Sequence, residues 1–149
     1  MKAILIDPKL KIINKTNYSG NYKDISKLTE CNIFTGVYPF KNCEDTIYVD
    51  DEGLLKVSNY CFTFRCDNGY VQPLMGKGLI IGCNKEGESI DVKTSIDEIK
   101  KRVSFKGHQK IIMGNNGIDL QPLPTILNDA DLRLFNKSYY DANPEKVID

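Results

Sequence analysis

The sequence has no tryptophan, a single histidine and no net charge, and it lacks any long apolar run. Because 20 Lys+Arg balance 20 Asp+Glu, the chain does not carry the field of a general nucleic-acid binder or of an acidic mimic of nucleic acid. A membrane-spanning helix needs about 20 apolar residues, and the apolar start at residues 2–6 is also too short for a secretory signal. We therefore expect a cytoplasmic protein without a membrane partner, and nucleic acid is disfavoured as a partner.

The cysteine pattern gives little support to a metal site or a disulfide framework. The five cysteines are an odd number, they show no C-x-x-C spacing, and a single histidine adds little as a zinc ligand. Cys31 ends a helical pattern, while Cys61 and Cys83 lie in apolar runs, where cysteine behaves as a small buried hydrophobe. We expect free thiols packed in the core, and we predict neither a metal nor a cofactor.

The length of 149 residues fits one domain with one core. Short runs of branched and aromatic residues between glycine, proline and acidic turns predict strands, and apolar residues three or four apart predict short helices. We therefore predict an α+β fold, with a mostly antiparallel sheet of about six strands and two or three short helices. The predicted strands are residues 2–6, 10–13, 33–38, 46–50, 54–57, 60–64, 78–83 and 109–113, and the predicted helices are residues 23–31, 96–105 and 127–140.

Two local signals define element boundaries. Ser95 and Glu98 form the S-x-x-E pattern that begins a helix. Asp51 and Glu52, followed by Gly53, separate two β-rich runs, so we predict a hairpin in which the glycine has a positive φ.

Three stretches of the sequence carry a resemblance to a known family. They are MKAILIDP at residues 1–8, IYVDDEGLL at residues 47–55 and PLMGKGLIIG at residues 73–82. With the predicted helix that ends in Phe105, they resemble a family of small proteins of unknown function from phages, plasmids and other mobile elements. The resemblance covers roughly residues 1–105 and implies a biological setting, not an activity. We therefore divide the single domain into a family-like core, residues 1–105, and a C-terminal extension specific to this chain, residues 106–149.

The segment Gly76-Lys77-Gly78 is the best candidate for an anion site. Glycines allow backbone N–H groups to converge on an anion, and the lysine between them adds a positive charge. The segment lacks the spacing of a P-loop or of a dinucleotide fingerprint, and it precedes a strand instead of a helix. A tight turn that leads into a buried strand is the simpler explanation of the same residues.

The acidic cluster and the histidine are the candidates for catalysis. The cluster lacks the spacing of a calcium loop and fits a solvated hairpin tip. His108 lies in a predicted loop and can act as a base, but no acidic residue is beside it, and no serine or cysteine has the context of a nucleophile. An enzyme such as a phosphodiesterase is our third hypothesis, and we assign no catalytic residue. The acidic cluster consists of Glu44, Asp45, Asp50, Asp51 and Glu52.

Our first hypothesis is a non-catalytic protein that binds and sequesters a small nucleotide-like ligand. It combines the resemblance to mobile-element proteins with residue types that contact phosphates and bases. Such a protein would act in the host cytoplasm as an antagonist of host defence. The predicted ligand-binding residues are Gly76, Lys77, Gly78, Arg65, Tyr70, Arg102 and His108.

The second hypothesis is an accessory factor that docks on a host enzyme through its C-terminal segment. Residues 120–140 contain prolines and neighbouring tyrosines, and such residues are common anchors of protein interfaces. We also consider a homodimer, because two-fold association is the commonest assembly of small proteins and subunit contacts could complete a site.

Overall fold

The computed structural model describes residues 1–41, 44–53, 58–114 and 117–122. Within these residues the chain forms a six-stranded sheet, a four-stranded sheet and two helices, so the predicted α+β class with about six strands in the main sheet is confirmed. The second sheet is an addition to that prediction. The elements are β1 (Lys2–Asp7), β2 (Ile12–Asn17), α1 (Tyr22–Thr29), β3 (Phe34–Val37), β4 (Thr46–Asp50), β5 (Ser58–Arg65), β6 (Val71–Met75), β7 (Gly78–Cys83), β8 (Ser89–Ile90), α2 (Ile96–Arg102), β9 (Val103–Gly114) and β10 (Gly117–Pro122).

The main sheet has the strand order β2-β1-β7-β4-β3, and the short strand β8 pairs with β7. Strand β7 is at the centre because both of its faces are apolar and covered. Leu79 and Ile81 pack on one face against Ile25 of α1, while Ile80 packs on the other face with Ile99 of α2. Each of these side chains is at most 4% exposed. The prediction of a buried strand at residues 78–83 is therefore confirmed.

The second sheet has the order β10-β9-β5-β6, and Phe62 and Phe64 of β5 pack into the core of the main sheet. Strand β6 is absent from the prediction because Pro73 interrupts it. Proline is tolerated there since β6 is an edge strand. In β9, Lys106 has no counterpart in β5, and the neighbouring Gly107 has a φ of 71°, which forms a bulge.

Helix α2 begins where the sequence predicts and ends earlier. The Ser95 side chain accepts a hydrogen bond from the Glu98 N–H at 3.2 Å, as the capping pattern requires. The predicted continuation of the helix to Phe105 is wrong, because α2 ends at Arg102 and the chain from Val103 onward pairs with β5. In the described part of the chain no helix is long and apolar enough to cross a membrane.

The turn after β4 differs from the predicted hairpin. Gly53 does not have a positive φ. A Cβ atom on Gly53 would lie 2.8 Å from Cβ of Met75, so the close approach of β6 excludes a side chain there. Strand β4 pairs with β3 and β7, and the other arm of the predicted hairpin, residues 54–57, lies outside the described residues.

Strand β9 crosses the predicted boundary between residues 105 and 106. It pairs with β10 over Gln109–Gly114, so the described start of the extension, up to Pro122, continues the second sheet. Residues 123–149 lie outside the described residues, and the predicted helix at residues 127–140 lies there with them. The assignment of the whole chain to one domain stays a prediction.

Candidate ligand-binding site

A cavity of about 590 Å³ opens between the β1–β2 hairpin and the segment that leads into α2. We call it the hairpin cavity. Residues 2–4 and 15–17 line it from the hairpin, and residues 92–97 form its facing wall. Sites for small molecules and cofactors occupy about 300 to 1,000 Å³. The volume therefore suits a small molecule.

Strand pairing places two lysines on the same face of the hairpin. Lys2 pairs with Asn17, and Ile4 pairs with Lys15. Opposite residues of an antiparallel pair point to the same face, and so do alternate residues of one strand. Ile4 is 2% exposed and belongs to the core that also contains Ile99. The hairpin thus presents two ammonium groups beside an apolar floor.

The first part of the wall is tied to β1. The Val92 N–H donates to the Lys2 carbonyl oxygen at 2.9 Å, and the Lys2 N–H donates to the Asp91 carboxylate at 2.7 Å. These two bonds join the wall, and Asp91 directly before it, to the hairpin. The contact fixes the spacing between the two sides of the cavity at this end.

The next part of the wall is held by Asp45, whose side chain is 1% exposed. Its carboxylate accepts hydrogen bonds from the Lys93 N–H at 3.0 Å, from the Thr94 N–H at 2.7 Å and from the Thr94 hydroxyl at 2.6 Å. The predicted solvated hairpin tip is therefore wrong for Asp45, because this carboxylate satisfies backbone donors inside the protein.

Positive charge exceeds negative charge in the lining of the cavity. Lys2, Lys15 and Lys93 line it together with one carboxylate, that of Asp97. The Lys93 ammonium lies 3.5 Å from the Glu44 carboxylate in a pair whose side chains are 51% and 37% exposed. This arrangement suits an anionic ligand. The neutral polar residues of the lining are Thr16, Asn17, Thr94 and Ser95.

Lys77, at the centre of the predicted anion site, lies in a smaller cleft of about 220 Å³. Its Nζ lies 2.9 Å from Oε1 of Glu30 and 3.8 Å from Oδ2 of Asp7. The preceding Gly76 N–H donates to the Tyr60 carbonyl oxygen at 2.9 Å. The ammonium group and this N–H are therefore both engaged by other parts of the protein.

The two glycines around Lys77 serve the turn and the packing of the sheets. Gly76 has a φ of 76°, which glycine adopts without strain. A Cβ atom on Gly78 would lie 3.0 Å from Cζ of Phe62 and 3.3 Å from Cγ2 of Ile47, so β5 packs directly against the start of β7. These are the features of a tight turn that leads into a buried strand.

Arg102 lies at the end of α2 and joins three parts of the chain. Its Nη1 lies 2.6 Å from Oδ1 of Asp67, its Nε lies 3.0 Å from Oε1 of Glu98, and its guanidinium stacks over the Phe40 ring at 5.0 Å. The Lys41 N–H, followed by the Arg102 guanidinium, lowers the pKa of the Asp67 carboxyl below its ordinary value. Arg102 therefore links the end of α2 to the segments that contain Asp67 and Phe40.

Two other predicted residues lie near Arg102. The Arg65 carbonyl oxygen accepts a hydrogen bond from Nη1 of Arg102 at 3.2 Å, and this contact does not involve the Arg65 side chain. Tyr70 is 60% exposed and directly precedes β6. These residues lie close to one another, but the Arg102 side chain is only 16% exposed and already paired.

His108 lies on strand β9, so the prediction that it occupies a loop is wrong. The side chain is 4% exposed, and its ring stacks on that of Tyr60, with the centroids 5.0 Å apart and the planes at 25°. Burial lowers the pKa of the His108 imidazole, because a charged ring loses its hydration there. The buried imidazole therefore favours its neutral form.

The structure does not bring the seven predicted residues into one site. Gly76 contacts Tyr60, near one end of β5, while Arg65 and Tyr70 lie at its other end. Arg65 is five positions after Tyr60, and a strand rises about 3.3 Å per residue, so these two ends of β5 lie about 16 Å apart. The ligand-binding role of these residues stays a prediction.

The four cysteines that the structure describes, Cys31, Cys61, Cys66 and Cys83, form no disulfide bond with one another. Cys31 and Cys61 are buried. Cys83 is only half-buried, so it is less enclosed than the predicted packing in the core requires. Burial raises the pKa of the Cys61 thiol to about 11, which keeps it protonated and inert near neutral pH. Among the described residues, no group of three histidine, cysteine or acidic side chains can hold a metal ion.

The hairpin cavity has no signature in the sequence because its lining comes from segments that are far apart in the chain. Lys2 lies on the first arm of the predicted hairpin, residues 2–6, but Lys15 lies beyond the predicted second arm, residues 10–13, and joins the hairpin only because β2 extends over Ile12–Asn17. Nothing local indicates that residues 92–97 line the same cavity as the hairpin, since that arrangement depends on the hydrogen bonds of the wall to Lys2 and Asp45.

Comparison with known protein families matches residues 1–104 to a family described as Domain of unknown function (DUF3846). The chain belongs to this family. The DUF3846 match includes every residue that lines the hairpin cavity, together with Glu44 and Asp45 behind its wall. Membership confirms the resemblance to a family of unknown function. Comparisons with curated proteins and with solved structures give no match.

Proposed function

We propose that this protein binds a small anionic, nucleotide-like ligand in the hairpin cavity and holds it without changing it. The observation that carries the proposal is the lining: three lysines and one carboxylate surround a space of about 590 Å³. Ammonium groups recognise phosphate as point charges, and hydroxyl and amide groups add directional hydrogen bonds. The site that we propose replaces the earlier expectation that Gly76 and Lys77 hold the anion.

The apolar part of the lining suits the rest of such a ligand. Ile4, Val92 and Ile96 line the cavity beside the charged groups. Ligand sites commonly combine apolar walls with a few placed polar groups. A nucleotide has this division, because its base is flat and largely apolar while its phosphate is charged.

A holding role is supported by the chemistry of the lining. The polar side chains of the lining are ammonium groups, hydroxyls, an amide and one carboxylate, and these groups are suited to fixing a phosphate in place. We further propose that the ligand is withdrawn from a host defence in the cytoplasm of a cell that carries a phage or another mobile element. This setting is supported by the resemblance of residues 1–105 to proteins of such elements.

Isothermal titration calorimetry of the full chain against a panel of cyclic and linear nucleotides tests the proposal. We expect heat of binding with at least one member of the panel. In the double variant Lys2→Met, Lys15→Met, affinity for that ligand should fall at least about tenfold, because each charge-assisted contact is worth about 1.5 to 3 kcal/mol. Methionine retains the apolar stem of lysine.

The matched control is the double variant Lys100→Met, Lys101→Met, which removes the same charge from exposed positions of α2 outside the lining. It should bind as the unmodified chain does. Absence of heat with every nucleotide, or an equal loss of affinity in both double variants, contradicts the proposed site. Chromatography of the ligand after incubation should return it unchanged, and a reaction product would contradict the holding role.

The second hypothesis, docking through the C-terminal segment, concerns residues that lie largely outside the described part of the chain. It stays a prediction, as does the homodimer.

A further inference from the structure

We propose that two neighbouring carboxylates behind the wall, Glu44 and Asp45, set the affinity of the hairpin cavity for anions in opposite directions. Asp45 raises affinity because it fixes the backbone that carries Lys93. Glu44 lowers affinity because it competes with the ligand for the Lys93 ammonium. This inference rests on the proposed function and adds the residues that regulate that site from outside its lining.

Asp45 is a rigid anchor because the chain around it is fixed to the central strand of the main sheet. The preceding Glu44 carbonyl oxygen accepts a hydrogen bond from the Cys83 N–H at 3.1 Å. The following Thr46 begins strand β4 and pairs with Ile81 of β7. The carboxylate is therefore held in place on both sides by β7, which is the most thoroughly buried strand of the main sheet.

The wall spans two anchors, and Lys93 lies between them. On one side the Val92 N–H bonds to the Lys2 carbonyl oxygen. On the other side both oxygens of Asp45 accept from the Lys93 N–H, at 3.0 and 3.2 Å, and one of them also accepts from the Thr94 N–H. Loss of the second anchor removes the hydrogen bonds that hold the Lys93 and Thr94 N–H groups and so loosens this backbone. A ligand would then have to order that backbone when it binds, which weakens affinity.

Glu44 acts on the side chain of the same lysine. Its carboxylate lies 3.5 Å from the Lys93 ammonium, and both side chains are more than a third exposed. Exposed ion pairs of this kind are weak, so an anion in the cavity can displace Glu44. Displacement of Glu44 still requires the free energy of the ion pair, which lowers the affinity for the anion. Without the carboxylate charge, this free energy is no longer required.

The experiment measures binding of inorganic phosphate to the full chain by NMR titration. In Glu44→Gln we expect affinity to rise about two- to fivefold, as the strength of an exposed ion pair implies. In Asp45→Asn we expect affinity to fall at least about fivefold, because an amide cannot accept from all the donors that now surround the carboxylate. The two substitutions change the same charge at adjacent positions, so each is the control for the other.

A double-mutant cycle isolates the role of Glu44. Lys93→Met removes the ammonium and keeps the backbone N–H that bonds to Asp45. In that background Glu44→Gln should no longer increase affinity. A gain that persists without Lys93, or no gain in the single variant, overturns the competition between Glu44 and the ligand.

Amide hydrogen exchange isolates the role of Asp45 and needs no ligand. In Asp45→Asn the Lys93 and Thr94 amides should exchange faster, while the amides of β7 keep their protection. If this variant does not fold, Thr94→Val removes one bond of the anchor and should show a smaller change of the same kind. Unchanged exchange of both amides overturns the anchoring role. If the unmodified chain binds neither phosphate nor any nucleotide, the proposed function fails, and the exchange data still decide whether Asp45 anchors the wall.

Discussion

Lysines lie beside carboxylates in two regions of the molecule, and the two regions use their charges differently. In the cleft beside Gly76, the Lys77 ammonium lies 2.9 Å from Glu30 and 3.8 Å from Asp7, so its charge is balanced within the protein. In the hairpin cavity, three lysines line an open space with one carboxylate. The first region has the glycine-flanked lysine that the sequence indicates, whereas the lining of the second has more ammonium groups than carboxylates. Whether a lysine can bind an anion depends on the partners that the fold gives its ammonium group more than on its neighbours in sequence.

The same contrast extends to Arg102 and His108. Both were predicted as ligand-binding residues, and both are buried or paired inside the protein. Substitutions at these positions and at Lys77 should therefore change stability and leave nucleotide binding by the folded chain unchanged. Substitutions in the hairpin cavity should do the opposite. Substitutions of Arg102, His108 and Lys77 test whether these residues stabilise the fold without binding the ligand.

The largest effect is expected for Arg102→Ala. The substitution removes ion pairs to Asp67 and Glu98 and the contact over the Phe40 ring. Because the Arg102 side chain is only 16% exposed, we expect the free energy of unfolding in urea to fall by about 2 to 3 kcal/mol. Lys101→Ala, on the exposed side of the same helix, is the control and should change it by less than about 0.5 kcal/mol. Stability equal to that of the control would return Arg102 to the candidates for ligand binding.

A smaller effect is expected from the titration of His108. Burial lowers the pKa of this imidazole from its ordinary value of 6.5, so the unfolded chain binds the proton more readily than the folded chain. The free energy of unfolding should therefore decrease as pH falls below about 6.5, with a slope of at most about 1.4 kcal/mol per pH unit. In His108→Gln this part of the pH dependence should disappear. The pKa of Asp67 is also lowered. The stability that its carboxylate contributes is lost only at more acidic pH, as the pH falls below the ordinary carboxyl range. Equal slopes for the two chains between pH 7 and pH 5.5 would contradict a buried, neutral imidazole.

Elements with strong local signals were predictable from the sequence. Strand β7 has a glycine-bounded apolar run, the start of α2 has the Ser95 cap, and the first arm of the first hairpin is an apolar run that ends before Pro8. The second arm, predicted at residues 10–13, forms later, at Ile12–Asn17. The division of the strands into two sheets was not predictable, because it depends on pairing between distant segments. Strand β5 pairs with β9, for example, from Phe64 opposite Val103 to Ser58 opposite Lys110. Strand β6 was hidden by its proline, which an edge position tolerates.

The candidate site was less predictable than the fold because its geometry depends on a buried carboxylate. Asp45 resembles the other acidic residues of its cluster in sequence, and exposure is the usual fate of such a cluster. Its hydrogen-bond partners, Lys93 and Thr94, lie 48 and 49 positions later. No local pattern encodes a contact of that range. The three lysines of the cavity come from three separate segments for the same reason.

The smallest effect, and the most direct test of the contrast, is expected for Lys77→Met. The ion pair with Glu30 is weak because the Glu30 side chain is 69% exposed, so its loss should lower the free energy of unfolding by no more than about 1 kcal/mol. Calorimetric affinity for a nucleotide that the unmodified chain binds should change less than twofold, whereas Lys15→Met, which removes the same charge from the hairpin cavity, should weaken it. If instead Lys77→Met weakens binding and Lys15→Met does not, the ligand lies in the cleft beside Gly76. Glu30 and Asp7 would then have to release the Lys77 ammonium on binding, because a bound anion and these carboxylates compete for the same group.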